Sequence, residues 1–387
     1  MRAEPITIVA AGVVTPIGAD LDAFWAALLA GADGISTIER FRVDDLRVPR
    51  GGEIKKLGES TTGITCRATR LLATAAEDLL GRVDLDVDPA RIALVLGTAL
   101  GGVEELELAL DDPRDTRHAA GALYDAPAHA LAARLGVQGP VLTVSTACAS
   151  GATALGLGAD LLRAGTVDRV IAGGYDVLCR FVMRGFDALR SLTRERIRPF
   201  DRRRTGLLLG EAAALVLMAR DGEAPAGLGR LLGHASTSDG VHISAPDPEG
   251  RGLALSVRQA MAEAGVSGVD IDLVSAHGTA TPLNDRVESH VLRRALGSRA
   301  AAVPVHAIKG GLGHTMGAAA TLEAIACLLA ARHGVIPHTL GLEEPDPECG
   351  LDLVRGAPRV APVRVSLSTS LGFGGCNAAL VLEGARA

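Results

Sequence analysis

The sequence predicts a layered α/β fold built from two related halves. Short apolar runs alternate with longer alanine- and leucine-rich helical patterns, and this alternation is typical of α/β folds. The runs are apolar at consecutive positions rather than at every second one, as expected for strands covered by helices on both faces. Matching glycine-containing motifs recur in the two parts of the chain, which indicates a duplication.

The order of these runs gives the expected elements. Early strands are expected at Ile6–Val14, Arg91–Leu96, Val141–Val144 and Arg169–Ala172, and early helices at Phe24–Leu29, Val103–Leu110 and Ala149–Arg163. Later strands are expected at Leu215–Met218, Ile271–Ser275, Val303–Ile308, Val335–Pro337 and Val363–Leu367, and later helices at Leu253–Ala264, Val287–Ala295 and Ala318–Ala331. Glycines and a proline punctuate residues 222–229, so we expect the halves to span residues 1–222 and 223–387.

The duplication is clearest at two places. One expected strand runs into Gly97-Thr98-Ala99 and another into Gly278-Thr279-Ala280. Cys148 and His314 are each followed, three residues later, by a Gly-Ala pair and a long helical pattern. Chance similarity between alanine- and glycine-rich segments is the alternative. If the halves are duplicated, Cys148 and His314 occupy equivalent strand-to-helix turns.

Composition excludes several classes of protein. The formal net charge is -6 and no basic stretch is interleaved with aromatic residues, so we expect no nucleic-acid partner. No apolar stretch approaches the roughly 18 residues of a membrane-spanning helix, and the first apolar run ends in turn residues as a strand does. The cysteines form no CxxC pair, which favours a reducing compartment. We therefore expect a cytoplasmic protein.

The first candidate catalytic residue is Cys148, in the run Val144–Gly151. It follows an expected strand and stands at the first turn of an apolar helix. The free N–H groups and partial positive charge of a helix start favour a thiolate. A buried, unreactive cysteine is the alternative. None of the other cysteines combines such a turn with such a helix.

Two histidines among small residues are the other candidates. His277 ends an expected strand and precedes Thr279 and Thr281. Such a histidine can exchange a proton near neutral pH, and the hydroxyls can bind an extended polar ligand. A purely structural histidine is the alternative. His314 ends a glycine-rich turn that Lys309 begins, and this turn lacks the residue order of a P-loop.

A second glycine-rich turn lies near the end of the chain. The segment Ser370–Gly375 contains one bulky ring, Phe373. Its backbone N–H groups can supply half of an oxyanion-binding site, the other half coming from the helix that starts at Cys148. An ordinary tight turn is the alternative for this segment.

Taken together and in this order, these motifs resemble those of the β-ketoacyl-(acyl-carrier-protein) synthase family, the elongating condensing enzymes. The likeness runs nearly end to end, from Val14–Gly18 through Arg198–Asp201 and Gly210-Glu211 to Gly372–Asn377. The resemblance implies a thiolase-like fold, with duplicated α/β halves in α-β-α-β-α layers.

The resemblance also implies a decarboxylating condensation. Cys148 would carry an acyl chain, while His277 and His314 would assist decarboxylation of a malonyl thioester. Backbone N–H groups of Cys148 and Phe373 would form the oxyanion hole. The other implied roles are electrostatic tuning by Lys309 with Glu323, pantetheine binding by Thr279 and Thr281, gating and acyl-pocket shape from Phe373, Leu371 and Leu100, and carrier-protein contact by Arg202 and Arg204.

Partners follow from the same resemblance. We expect an acyl carrier protein whose phosphopantetheine bears the substrates, no separate cofactor, no metal, and a homodimer or a heterodimer with a related ketosynthase-like subunit. Polyketide or fatty-acid-type biosynthesis is the expected setting. The chain departs from the family pattern at Leu371, at Thr369 and at His306-Ala307-Ile308, so we expect it to differ in gating and acyl-pocket shape.

Other functions remain open at this point. A non-catalytic, chain-length-determining subunit of a ketosynthase heterodimer is the main alternative, although such subunits typically lack the active cysteine. A thiolase would use a second cysteine, for which Cys376 is the candidate, and would leave the two histidine motifs unexplained. A Cys-His hydrolase would leave one histidine unused, and the wide spacing of Cys148, His277 and His314 disfavours a zinc site.

Overall fold

The computed structural model describes residues 3–57, 63–112, 114, 116–225 and 227–385. The strands are β1 (Ile6–Val14), β2 (Ser36–Thr37), β3 (Arg50–Gly51), β4 (Ile92–Gly97), β5 (Val141–Val144), β6 (Arg169–Asp176), β7 (Ala212–Arg220), β8 (Gly229–Ser238), β9 (Leu273–Ser275), β10 (Pro304–His306), β11 (Val335–Ile336), β12 (Asp352–Leu353), β13 (Arg359–Val360), β14 (Val365–Gly372) and β15 (Cys376–Gly384). The helices are α1 (Leu21–Ala30), α2 (Arg67–Leu80), α3 (Val103–Asp111), α4 (Ala126–Leu135), α5 (Ser150–Arg163), α6 (Arg180–Ala188), α7 (Arg251–Ala264), α8 (Pro282–Leu296), α9 (Lys309–Leu312) and α10 (Ala319–His333).

The main sheet repeats one strand arrangement in the two halves. In the first half β1 is antiparallel to β7 and β7 to β6, while β6, β4 and β5 are parallel. In the second half β8 is antiparallel to β15 and β15 to β14, while β14, β9 and β10 are parallel. The halves join where β1 pairs antiparallel with β8. The repeat confirms the predicted duplicated α/β fold.

Three apolar cores hold five layers of helices and sheets together, the first of them on both sides of the central helices. The helices α5 and α10 lie in one core between the two half-sheets, with residues such as Leu155 and Ile325 packed against strands of both halves. A second core places α2 and α4 on the outer face of the first half-sheet. A third places α7 and α8 on the outer face of the second. The molecule therefore has the predicted α-β-α-β-α layers.

Local sequence explains how elements begin and how closely they pack. The carboxylate of Asp20 caps α1 by accepting a hydrogen bond from the Ala23 N–H at 2.8 Å, and Gly31 ends the helix in a left-handed conformation. A Cβ on Gly12 of β1 would lie 2.1 Å from the Ala75 carbonyl oxygen of α2. Glycine at this position is therefore what lets α2 lie directly on the sheet.

The structure differs from the predicted elements in two respects. Val335-Ile336 forms a strand, as predicted, but it pairs with β13 in a separate two-stranded sheet. The helices α2, α4, α6 and α9 and the strands β2, β3, β8, β12, β13 and β15 were not predicted. The boundary proposed near residues 222–229 falls in the turn between β7 and β8, where Ala226 lies outside the described residues. Within the described residues, no helix is long and apolar enough to cross a membrane.

Candidate active site

Three predicted catalytic residues meet in one cleft where parallel strands end. Cys148 lies between β5 and α5, His277 follows β9, and His314 lies in the connection from β10 to α10. All three line one cleft that opens to solvent. The residues that the sequence placed at equivalent turns of the two halves therefore share one cavity.

The turn that carries Cys148 is held in a strained conformation. Ala147 has a φ of 50°, in the left-handed region that alanine seldom adopts. The Ser150 hydroxyl donates a hydrogen bond to the Ala147 carbonyl at 2.6 Å and accepts one from the Thr146 N–H at 2.9 Å. Ser150 thus fixes the turn that presents the Cys148 side chain, which is 6% exposed, to the cleft.

Burial controls the protonation of Cys148. It raises the pKa of the thiol to about 12, although the Lys309 ammonium and a hydrogen bond from the Phe373 N–H act in the opposite direction. The sequence led us to expect that the start of α5 favours a thiolate. The desolvation of the buried sulfur outweighs this effect, so the thiol form is favoured. A neighbouring group has to accept the proton when the sulfur attacks.

The two imidazoles lie against each other beside a buried ion pair. The His277 and His314 ring centroids are 5.2 Å apart and the rings are nearly perpendicular, at 88°. The Lys309 Nζ lies 3.3 Å from Nδ1 of His277 and pairs with the Glu323 carboxylate. Because an ammonium only donates, it holds His277 Nδ1 as an acceptor and leaves the proton on Nε2.

Both histidines are neutral in this environment. Burial lowers the pKa of His277 well below its usual value, and the charge of Lys309 lowers it further. Burial, followed by the charge of Lys309, also lowers the pKa of His314. Two uncharged imidazoles can donate hydrogen bonds to an anion that develops in the cleft.

A buried carboxylate anchors the backbone at His277. Glu288 of α8 accepts hydrogen bonds from the N–H groups of His277 at 2.7 Å and Gly278 at 2.9 Å, and from the Thr369 hydroxyl at 2.7 Å. Burial raises the pKa of Glu288 to about 6, against the effect of these bonds. Sequence analysis missed Glu288, although an acidic residue among the apolar positions of a predicted helix is a signal that could have found it.

A second buried carboxylate, also missed from the sequence, ties the catalytic loops together. Asp176, at the end of β6, accepts hydrogen bonds from the Thr98 hydroxyl at 2.7 Å and the Ala99 N–H at 2.9 Å. It also accepts one from the Gly317 N–H at 2.6 Å, three residues beyond His314. Asp176 therefore connects the end of β4 with the loop that carries His314.

The turn after β14 faces the sulfur. The Phe373 N–H donates a hydrogen bond to the Cys148 thiol. The Phe373 ring stacks on Phe186 with centroids 5.3 Å apart, and Leu371 lines the cleft beside them. Gly374 has a φ of +80°, so a glycine suits this sharp turn. Phe186 is a further lining residue that sequence analysis did not single out.

Some of the predicted ligand-binding residues line the cleft and others lie outside it. Thr279 and Thr281 line the cleft, with their hydroxyls 3.0 Å apart. Leu100 is partly buried against a neighbouring apolar cluster and does not line the cleft. Arg202 is exposed at the surface and paired with Glu344.

Arg204 does not fit its predicted contact with a carrier protein. Its side chain is 6% exposed and pairs with Asp346 at 2.6 Å. It also donates to the carbonyl oxygens of Asp201 and Pro282. The guanidinium cannot reach a partner protein without losing these bonds, so the structure argues against this prediction.

Two of the remaining alternatives concern Cys376 and a metal site. Cys376 starts β15 and is not among the residues that line the cleft. No group of three or more His, Cys, Asp or Glu side chains among the described residues could hold a metal ion.

Family models match this chain along most of its length. The model described as "Beta-ketoacyl synthase, N-terminal domain" matches residues 3–224, and the model for the C-terminal domain matches residues 228–343. The chain belongs to the β-ketoacyl synthase family. The predicted family and its thiolase-like fold are thereby confirmed.

Relatives and solved structures agree with this family. The ketoacyl synthase alpha subunit of the tetracenomycin polyketide synthase from Streptomyces glaucescens is 36% identical, over 97% of this chain and 96% of that protein. The 3-oxoacyl-(acyl-carrier-protein) synthase 2 of Synechocystis sp. is 32% identical, with 99% of each chain covered. A solved structure titled "The ishigamide ketosynthase/chain length factor" has a TM-score of 0.93 and 32% identity, with 100% of both chains covered.

Proposed function

We propose that this β-ketoacyl synthase family member catalyses the decarboxylating condensation of an acyl chain on Cys148 with a malonyl thioester. The observation that carries the proposal is the shared cleft, in which Cys148, His277 and His314 meet. The family membership supports the reaction class, since it is that of acyl-transferring condensing enzymes.

The first step loads the acyl chain. The Cys148 sulfur attacks the thioester carbonyl while the thiol proton passes to an imidazole. The bond to the departing sulfur then breaks, and the imidazole gives the proton to the departing thiolate. A neutral histidine suits this role because the buried Cys148 thiol keeps its proton at neutral pH. His314 is the better candidate for accepting the proton, since Lys309 already fixes the tautomer of His277.

The second step generates the carbon nucleophile. The bond between the malonyl carboxylate and its α-carbon breaks, carbon dioxide leaves, and the electron pair passes into a thioester enolate. Nε2–H of His277 donates a hydrogen bond to the enolate oxygen, and His314 donates a second one in the tautomer that carries its proton on the nitrogen facing the cleft. These donors act in a site that excludes most water, where they stabilise the charge strongly.

The third step forms the carbon–carbon bond. The enolate carbon attacks the acyl carbonyl on Cys148, and the oxyanion accepts hydrogen bonds from the N–H groups of Cys148 and Phe373. The carbon–sulfur bond then breaks, the leaving sulfur takes up a proton from water that enters the open cleft, and a 3-oxoacyl chain two carbons longer remains on the other thioester.

The chemistry of the substrates suggests the partner. We propose that both thioesters are borne on the phosphopantetheine of an acyl carrier protein, with Thr279 and Thr281 binding the pantetheine and Phe373 and Leu371 gating the acyl pocket. Polyketide or fatty-acid-type biosynthesis is the setting that the relatives' names suggest. A homodimer or heterodimer, a cytoplasmic location and the absence of a separate cofactor stay predictions.

Mass spectrometry of the acylated protein tests the proposal. After incubation with an acyl-carrier-protein thioester, the wild-type protein should gain one acyl group on Cys148, whereas Cys148→Ala should gain none. Cys148→Ala should still release carbon dioxide from malonyl-carrier protein, because the histidines remain. Absence of any adduct on wild-type Cys148 would instead favour a non-catalytic, chain-length-determining subunit.

A further inference from the structure

The two histidines of the cleft differ in how their rings are held. The Lys309 ammonium lies against Nδ1 of His277, whereas Nδ1 of His314 is buried and makes no hydrogen bond to a described protein atom. The rings of the two histidines contact each other. The place of the His314 ring therefore depends on this packing and on the backbone that carries it.

A short strip of backbone before β7 holds His314 through both of its peptide groups. The His314 N–H donates a hydrogen bond to the Leu208 carbonyl at 2.7 Å, and the Gly210 N–H donates one to the His314 carbonyl at 3.0 Å. The strip also packs closely on the same turn, because a Cβ on Gly210 would lie 2.2 Å from the Leu312 carbonyl oxygen. A shift of residues 208–210 would therefore move His314 as well.

The next residue along the strip, Glu211, carries a buried carboxylate that binds three other segments. Its side chain is 0% exposed. One oxygen accepts the Ile54 N–H, beyond β3, at 2.9 Å, and the other accepts the Leu178 N–H, beyond β6, at 3.1 Å. Arg67, the first residue of α2, donates to both oxygens, with its Nε 2.9 Å from Oε2. The carboxylate therefore ties the strip to α2 and to the segments after β3 and β6.

The pairing of Arg67 with Glu211 has a fixed geometry. The Arg67 side chain is 11% exposed, and its guanidinium also donates to the Ile54 carbonyl at 2.7 Å. A guanidinium that binds both oxygens of a carboxylate constrains direction as well as distance. This pair therefore sets where the strip that holds His314 lies.

We propose that Glu211, held by Arg67, is a positioning residue for His314. Neither Glu211 nor Arg67 lines the cleft, so both act through residues 208–210 and not on the substrate. The inference rests on the proposed function, because the rate of acyl loading is one of its readouts.

Acyl loading should be sensitive to this contact. His314 accepts the Cys148 proton in that step, and proton transfer requires the two groups to lie within hydrogen-bond reach. A displacement of a reacting group by about 1 Å can slow a reaction about a hundredfold. The rate of loading should therefore depend on Glu211 more strongly than the binding of the thioester does.

Glu211→Gln tests the inference with little change in volume. The amide replaces one acceptor oxygen by a donor among N–H donors, so the strip should shift. The kcat of acyl loading should fall about tenfold, with KM for the acyl-carrier-protein thioester within about twofold of wild type. In a His314→Ala background the same substitution should leave the residual loading rate within about twofold, because the ring that Glu211 positions is absent.

Another buried carboxylate provides the control. Glu383→Gln disrupts the pairing of Glu383 with Arg230 on β8, and it should lower the thermal stability while the loading rate stays within about twofold of wild type. A wild-type rate in Glu211→Gln would overturn the inference. A tenfold loss that persists in the His314→Ala background would also overturn it, because Glu211 would then act on the fold as a whole.

Two further measurements keep the inference testable if Glu211→Gln folds poorly or the wild-type protein loads no acyl group. Arg67→Lys keeps the charge but loses the two-point contact, and it should slow loading about threefold only when His314 is present. A crystal structure of either variant should show residues 208–210 and the His314 ring displaced, and an unmoved ring would overturn the inference. Wild-type protein that loads no acyl group would contradict the proposed function instead.

Discussion

At the scale of single residues, the tautomer of His277 depends on the ammonium of Lys309. We expect Lys309→Met to lower carbon dioxide release roughly a hundredfold, because His277 Nδ1 loses the donor that keeps the proton on Nε2. The same substitution leaves Glu323 as a buried carboxylate without its partner and should cost about 3 kcal/mol of unfolding free energy. Urea unfolding and a carbon dioxide assay measure the two effects.

A double variant separates stability from catalysis. In Lys309→Met/Glu323→Gln no unpaired charge is buried, so most of the stability should return while the decarboxylation stays slow. Recovery of both properties would show that Lys309 affects the reaction only by stabilising the fold.

The residues found from the sequence share a local signal that the missed ones lack. Cys148, His277 and His314 each follow an apolar run within a few residues and lie within three residues of a glycine, and that pattern marks a reactive side chain at a tight turn. Glu288 and Asp176 lie inside or at the end of regular elements and act by accepting backbone hydrogen bonds from distant segments. Such contacts depend on tertiary packing, which one sequence does not display.

At the scale of elements, Asp201 joins the segment between α6 and β7 to the segment between β11 and β12. Its carboxylate accepts hydrogen bonds from the N–H groups of Glu343 at 2.9 Å and Glu344 at 2.7 Å. Burial raises its pKa, but hydrogen bonds from Arg203 and from these backbone groups more than offset this and bring the pKa down to about 2.

This lowered pKa makes the junction sensitive to acid. A carboxyl group whose folded pKa is below its unfolded value stabilises the protein above pH 4 and loses that contribution as the pH falls towards 2. The stability difference between wild type and Asp201→Asn should therefore shrink by about 1 kcal/mol between pH 5 and pH 3. Urea unfolding at each pH measures it, with the exposed Asp86→Asn as control. A difference that stays constant with pH would contradict the assignment.

The elements that the sequence predicted well are those with unbroken apolar runs. The strands β1 and β5 were predicted with their observed limits, and the prediction for β4 was displaced by one residue. In contrast β8 is interrupted by glycine and polar residues, and α6 is short, with two arginines, a glycine and an aspartate among its nine residues. Their places are set by pairing with β15 and by packing near the cleft, so local periodicity could not reveal them.

At the scale of the whole molecule, the two halves touch through glycines behind the active site. A Cβ on Gly174 of β6 would lie 2.0 Å from the carbonyl oxygen of Gly317, three residues beyond His314. A Cβ on Gly151 of α5 would lie 2.7 Å from the same oxygen. The two halves can therefore bring Cys148 and His314 into one cleft only because no side chain lies between the halves at this contact.

A single methyl group at this contact tests how tightly the halves are coupled. Gly174→Ala should push the Gly317 loop away, destabilise the fold by about 1–3 kcal/mol and slow both acylation of Cys148 and condensation, because His314 and the Asp176 contact move with that loop. Gly185→Ala is the matched control: a Cβ there meets nothing within 4 Å, and alanine in α6 should stabilise the helix by up to about 1 kcal/mol. Thermal unfolding and acyl loading compare the two variants. If Gly174→Ala unfolds and reacts like wild type, the loop can yield independently, and the close contact between the halves does not hold the catalytic residues together.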